Sequence, residues 1–152
     1  MSAESKILDE METADRFEAA MAMLEGEASA AKGIGQLKTL AIGGYAPAMN
    51  EYAKLFLDGK HMPRDYKTAH EWFHAAAECG YDESQFFLGK AAFDGSGTRR
   101  DHSEAFFWFL SAAEQGHPEA QYYIGKCYLE GRGTIRDEAE AHRWFSLSAS
   151  RG

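Results

Sequence analysis

Residues 70–74 read His70-Glu71-Trp72-Phe73-His74. On a helix, two histidines four residues apart share a face and can hold zinc, with the glutamate between them as general base. A zinc hydrolase on His70, Glu71 and His74 is therefore a remote alternative. No third ligand is evident, and His61, His102 and His117 stand at no ligand spacing. The sequence holds no Gly-x-Ser-x-Gly and no glycine-rich phosphate loop following a strand, so the reading favours no catalytic residues, no metal, no cofactor and no enzyme.

The surroundings of this pentad give it a different meaning. Thirty-six and seventy-two residues downstream stand Phe106-Phe107-Trp108-Phe109-Leu110 and His142-Arg143-Trp144-Phe145-Ser146. What stays constant is the Trp-Phe pair. The histidines sit in columns that vary, as on a helix surface outside the core.

The same period runs through Gly59, Gly95 and Gly131, through Lys54, Lys90 and Lys126, and through Arg64-Asp65, Arg100-Asp101 and Arg136-Asp137. Residues 80–115 and 116–151 agree at 15 of 36 positions without a gap, and nine columns are identical in all three units. Such a period denotes a stacked array. Each unit reads as two helices. In Glu119 to Leu129 the apolar residues recur with helical spacing, and Gly131-Arg132-Gly133 ends the stripe. Pro118 suits a first helical position. Asp137 with Glu140, and Asp101 with Glu104, predict reciprocal capping boxes; Asp65 with Thr68 keeps half of one. Gly89 and Gly125 allow close helix approach at ~1 kcal/mol of propensity each.

Residues 1–43 read as a degenerate fourth unit. Leu24-Glu25-Gly26 echoes Leu129-Glu130-Gly131, the Trp column holds Gln36, and the glycine-to-glycine interval falls from 21 residues to 18. Terminal units of an array differ because one face meets water. The expected organisation is one domain: a capping hairpin 1–43, repeats 44–79 and 80–115, and a repeat 116–152 whose His142, Arg143 and Ser146 form a polar end. Within it, Phe106, Phe107 and Leu110 make the middle unit unusually apolar; they either fill gaps between units or support weak self-association.

At these columns the chain resembles the Sel-1-like repeat family, relatives of the tetratricopeptide repeats. The family pattern of Ala, Gly, Tyr, Gly-x-Gly, Asp, Ala, Trp-Phe, Ala and Gly reads here Ala120, Gly125, Tyr128, Gly131, Gly133, Asp137, Ala141, Trp144-Phe145, Ala149 and Gly152. Ala53 replaces the helix glycine of the first complete unit. The resemblance implies an all-α, right-handed α/α superhelical solenoid of about four repeats, with a concave face lined by the first helix of each pair. It also implies protein–protein contacts, commonly as a bacterial adaptor or signalling scaffold. The cysteines of the family's secreted, disulfide-bearing branch are missing.

On that face the expected partner-binding residues are Asn50, Lys54, Leu57, Phe86, Lys90, Phe93, Tyr122, Lys126 and Leu129, with Asn50, Phe86 and Tyr122 as the variable column. Aromatics ringed by polar groups are typical interface anchors. The competing expectation is that each Lys pairs with the acid four residues on, Asp58, Asp94 or Glu130, for ~0.3 kcal/mol. An inhibitor or immunity-type protein that blocks a toxin or an enzyme is the second function consistent with such a surface.

Composition narrows the partner to another protein or peptide. Sixteen basic and 24 acidic side chains give a net charge of −8, unsuited to phosphate backbones, so no nucleic acid is expected. No apolar run approaches a membrane span, and Met1 to Glu12 lacks the order of a secretory signal. Cys79 and Cys127, 48 residues apart, read as free thiols. Together these features predict a cytoplasmic protein.

Overall fold

The computed structural model describes residues 2–151. Met1 and Gly152, the latter closing the repeat pattern, lie outside the described residues. Among the described residues eight helices follow one another: α1 Ala3–Leu24, α2 Ala30–Ile42, α3 Ala46–Asp58, α4 Tyr66–Glu78, α5 Asp82–Asp94, α6 His102–Glu114, α7 Pro118–Glu130 and α8 Glu138–Arg151. No strand occurs among the described residues. The starts of α3, α5 and α7, and those of α4, α6 and α8, are each 36 residues apart. The fold is all-α, and the period of the sequence is the period of its helical hairpins. Its contacts gather into two compact units, Met1–Trp72 and Phe73–Gly152.

Each hairpin turns by the same local chemistry. Gly59, Gly95 and Gly131 end α3, α5 and α7 in the left-handed conformation, with φ of 66°, 74° and 68°, where a side chain would be strained. The Asp of the next column then caps the second helix. Asp101 Oδ1 accepts from the N–H groups of Ser103 and Glu104 at 3.0 Å, and Asp137 Oδ1 from that of Glu140 at 3.0 Å. Asp65 accepts from the Thr68 N–H and from its hydroxyl.

The reciprocal half of the expected capping box is replaced. The N–H groups of Asp65, Asp101 and Asp137 donate to the carbonyls of Phe56, Ala92 and Tyr128, each at 2.9 Å. The donor that Glu104 or Glu140 would have satisfied is thus taken by the first helix of the same hairpin, which ties the loop down.

In the first unit, α1 packs on α2 and α2 on α3. Gly33 lets α2 come close to α1: a Cβ there would lie 2.9 Å from the Ala20 carbonyl oxygen. Leu37, Ala41, Ala48, Tyr52 and Leu55 are buried nearby in sequence order along α2 and α3, and Tyr52 meets Trp72 edge-on at 5.4 Å.

In the second unit the core runs through α5, α6, α7 and α8. Phe109, Ala112, Ala113, Ala120, Ile124 and Cys127 are buried, as are Trp108 and Trp144. Phe109 fits over Gly89 and Phe145 over Gly125, so close that a Cβ at either glycine would lie within 3 Å of the ring. Two contacts recur from hairpin to hairpin. Phe73 stacks on Phe87 at 3.8 Å and Phe109 on Tyr123 at 4.9 Å. The amides of the buried Gln85 and Gln121 donate to the carbonyls of Ala77 and Ala113, each at 3.1 Å, which satisfies helix-end acceptors inside the stack.

The apolar trio of α6 divides. Phe106 is half-buried, edge-on to Tyr128 at 5.5 Å, and Leu110 packs against the core. Phe107 alone is exposed, at 59%. At the other end of the unit His142, Arg143 and Ser146 are exposed on α8.

Candidate functional site

Of the nine residues expected to face a partner, six belong to the second unit and are carried by α5 and α7: Phe86, Lys90, Phe93, Tyr122, Lys126 and Leu129. Tyr123 brings most of them together. Its ring lies 5.9 Å from Phe86, 5.6 Å from Phe93 and 5.7 Å from Tyr122. Its hydroxyl accepts from Lys90 Nζ at 2.8 Å, and the same ammonium pairs with Asp94 at 2.9 Å. The Tyr123 hydrogen bond, then the Asp94 bond, hold the Lys90 pKa above its ordinary value.

Lys126 has a different setting. Its ammonium sits 5.3, 5.7 and 5.8 Å from the ring centres of Tyr123, Phe93 and Tyr122, a cation–π arrangement with three partners. The acid four residues on, Glu130, pairs instead with Arg132 at 2.7 Å, and Arg132 also lies 5.5 Å from the Phe93 ring. Pairing at i+4 therefore holds for Lys90 but gives way at Lys126 to aromatic contact. Phe86 is covered by His117, stacked at 4.7 Å. His117 Nδ1 accepts the Ala120 N–H at 3.2 Å and so caps α7.

Outermost on this face are Tyr122 and Leu129, 47% and 43% exposed, while Phe93 is 8% exposed and acts as floor. Neither Tyr123 nor His117 is marked by the repeat. The Tyr123 column changes from Glu51 through Phe87, and only the placement of Lys90 reveals its role.

The remaining three expected residues lie on α3 in the first unit. Asn50 is 0% exposed and its amide donates to Glu51 at 3.1 Å. It presents no surface and is corrected from a binding position to a buried polar one. Lys54 pairs with Glu51 at 2.8 Å at the edge of a cleft of about 540 Å³ that also includes Met21, Leu24, Glu25 and Asp58. Leu57 is half-buried.

His70 and His74 lie on one face of α4. His74 meets Trp108 edge-on at 5.7 Å, and its Nδ1 is 3.6 Å from Glu78. Among the described residues no three His, Cys, Asp or Glu side chains are grouped to hold a metal ion. Cys79 is exposed and Cys127 buried, both free. Burial pushes the Cys127 thiol up to about 11.

Three helical hairpins of one 36-residue period, built on one glycine, aspartate and tryptophan pattern, define an α/α repeat protein. The Sel1 repeat model matches residues 46–81, 82–117 and 118–152, and the chain belongs to the Sel1 repeat family. No curated protein matches it. Among solved structures it is similar to a protective antigen of uropathogenic Escherichia coli strains that displays an SLR fold: 37% identity, TM-score 0.75, covering 78% of this chain and 26% of the antigen. The chain thus spans about a quarter of that relative's length. It is also similar to a Sel1 repeat protein from Oxalobacter formigenes, with 33% identity and a TM-score of 0.74, covering 76% and 87% of the two chains. Helicobacter pylori cysteine rich protein B, at 18% identity and TM-score 0.61 over 78% and 90%, shares the fold. Sel1 repeat proteins generally mediate protein–protein interactions. No described helix is long and apolar enough to cross a membrane.

Proposed function

We propose that this chain is a non-enzymatic protein-interaction module whose α5–α7 face holds a segment of another protein. The observation that carries the reading is the juxtaposition of exposed Tyr122 and Leu129 with Lys126, a cation resting on three rings. Ordered rings with an adjacent charge give both a desolvated anchor and an orienting contact, the combination that concentrates binding energy in interfaces. The family's general role supports the same reading. Within it, an adaptor or scaffold working inside a bacterial cell is the form we favour, in keeping with bacterial relatives.

The test is affinity capture with the full chain, repeated with Tyr122→Ala/Leu129→Ala and with Phe107→Ala. All three side chains are exposed, so the variants retain the fold. Capture of the partner is expected to fail with the double variant and to persist with Phe107→Ala. Capture that survives the double variant removes the face assignment.

A further inference from the structure

One pocket of the first unit is explained by the register of the repeat. Gln36 stands 36 residues before Trp72 and occupies the column of Trp72, Trp108 and Trp144. With the shortened interval of the first hairpin, Ala19 of α1 occupies the column that holds Tyr52, Leu88 and Ile124 on the later first helices. In the next hairpin those two columns meet as Tyr52 and Trp72, edge to face at 5.4 Å. In the first hairpin both are cut back, to an amide and a methyl group. The result is a cavity of about 250 Å³ lined by Arg16, Ala19, Met23, Gln36 and Leu40.

We propose that this cavity is a socket for a tryptophan side chain donated by another protein. Ala19 and Gln36 stand in the columns that Tyr52 and Trp72 fill with rings one hairpin on, and Met23 and Leu40 give apolar walls. A cavity left by trimming a large side chain takes up an aromatic molecule of matching shape. At the rim, Arg16 is exposed and free to lie over the ring. The chain already uses that pairing in this column, where Arg143 lies 4.8 Å from the Trp144 ring. Gln36 offers an amide oxygen to the indole N–H. The donor is not a second copy: all three tryptophans of this chain are engaged, Trp108 and Trp144 buried in the second unit and Trp72 against Tyr52. The socket lies on the α1–α2 hairpin and shares no residue with the α5–α7 face, so either assignment can fail alone.

The experiment titrates the isotope-labelled full chain with indole, then with the tripeptides Gly-Trp-Gly and Gly-Leu-Gly, and follows amide shifts. Saturable shifts at Ala19, Met23, Gln36 and Leu40 are expected with indole and Gly-Trp-Gly at millimolar concentration, and not with Gly-Leu-Gly. Gln36→Trp restores the repeat's own ring and is expected to weaken indole binding at least about tenfold. Ala19→Leu narrows the opposite wall and gives the same result by a second route. The absence of saturable shifts at these residues, an equal response to Gly-Leu-Gly, or undiminished binding in both variants overturns the proposal.

Discussion

Alanine at position 89 and alanine at position 125 add the same methyl group in the same column of the repeat, yet their consequences differ. A Cβ on Gly89 would lie 2.5 and 2.7 Å from two edge carbons of Phe109; a Cβ on Gly125 would lie 2.7 Å from two of Phe145. In both cases the ring has to move. Phe109 is fully buried, stacked on Tyr123 at 4.9 Å, with Phe86 and Phe93 at 5.9 and 6.0 Å. Phe145 is half-buried, with Tyr122 at 5.6 Å and room toward solvent. Replacing an interior helical glycine by alanine stabilises by ~1 kcal/mol. Overpacking a clamped core costs ~1–3 kcal/mol. Gly89→Ala is therefore expected to lose ~1 kcal/mol, whereas Gly125→Ala is expected to stay within ~0.5 kcal/mol of the parent. Both sites belong to the second compact unit, so urea unfolding followed by circular dichroism compares them on the same transition. Equal midpoints for the two variants, or a Gly89→Ala midpoint at or above the parent's, would refute the idea that Phe109 is held immobile.

Three further outcomes are expected. A thiol reagent at pH 8 modifies one cysteine per native chain, the exposed Cys79, and two after unfolding, because Cys127 is buried and its thiol is pushed up to about 11; mass spectrometry of the modified chain reads this directly. The Lys90 pKa is raised in the fold, so its contribution is complete below the unfolded value near ~10.4 and is lost as pH climbs through the folded one; the alkaline fall in urea midpoint should be shallower in Lys90→Gln. Asp65 behaves in the opposite sense, its carboxyl held below the ordinary value by the Thr68 hydroxyl and N–H. Its contribution is present above ~3.9 and lost as pH falls through the folded value. Thr68→Val should bring the Asp65 titration, followed by NMR, up toward the ordinary carboxylate value.

In the three complete units the helices, their ends at the repeat glycines and their aspartate caps were legible because each depends on residues within a few positions of one another. Gly59, Gly95 and Gly131 stop helices by backbone conformation alone, and Asp65, Asp101 and Asp137 cap them through side chains three residues away at most. What a column pattern could not carry is the influence of the neighbouring hairpin. It treats Asn50, Phe86 and Tyr122 as equivalent, although Asn50 is turned inward and Tyr122 outward. The capping boxes fail in their second half for the same reason, since a carbonyl of the preceding helix takes the aspartate N–H. Tyr123, the centre of the candidate face, lies in a column with no constant residue. Its importance comes from reaching Lys90, 33 positions away, and no local spacing announces that bond. Phe106, Phe107 and Leu110 look alike in sequence but separate by helical angle, two turned toward the core and one toward solvent.

The paired contacts that join successive hairpins have an evolutionary corollary. Gln85 and Gln121 reach the carbonyls of Ala77 and Ala113, while Phe87 and Tyr123 cover Phe73 and Phe109. Each coupling therefore joins equivalent positions one period further along. Excision of residues 82–117 would set Gln121 before Ala77 and Tyr123 before Phe73, with the joint intact. Genetic gain or loss of 36 codons is thus a move that preserves the couplings, whereas a change of one or two codons between the partners of a coupling would misalign that coupling. Proteins assembled this way vary in length by whole steps.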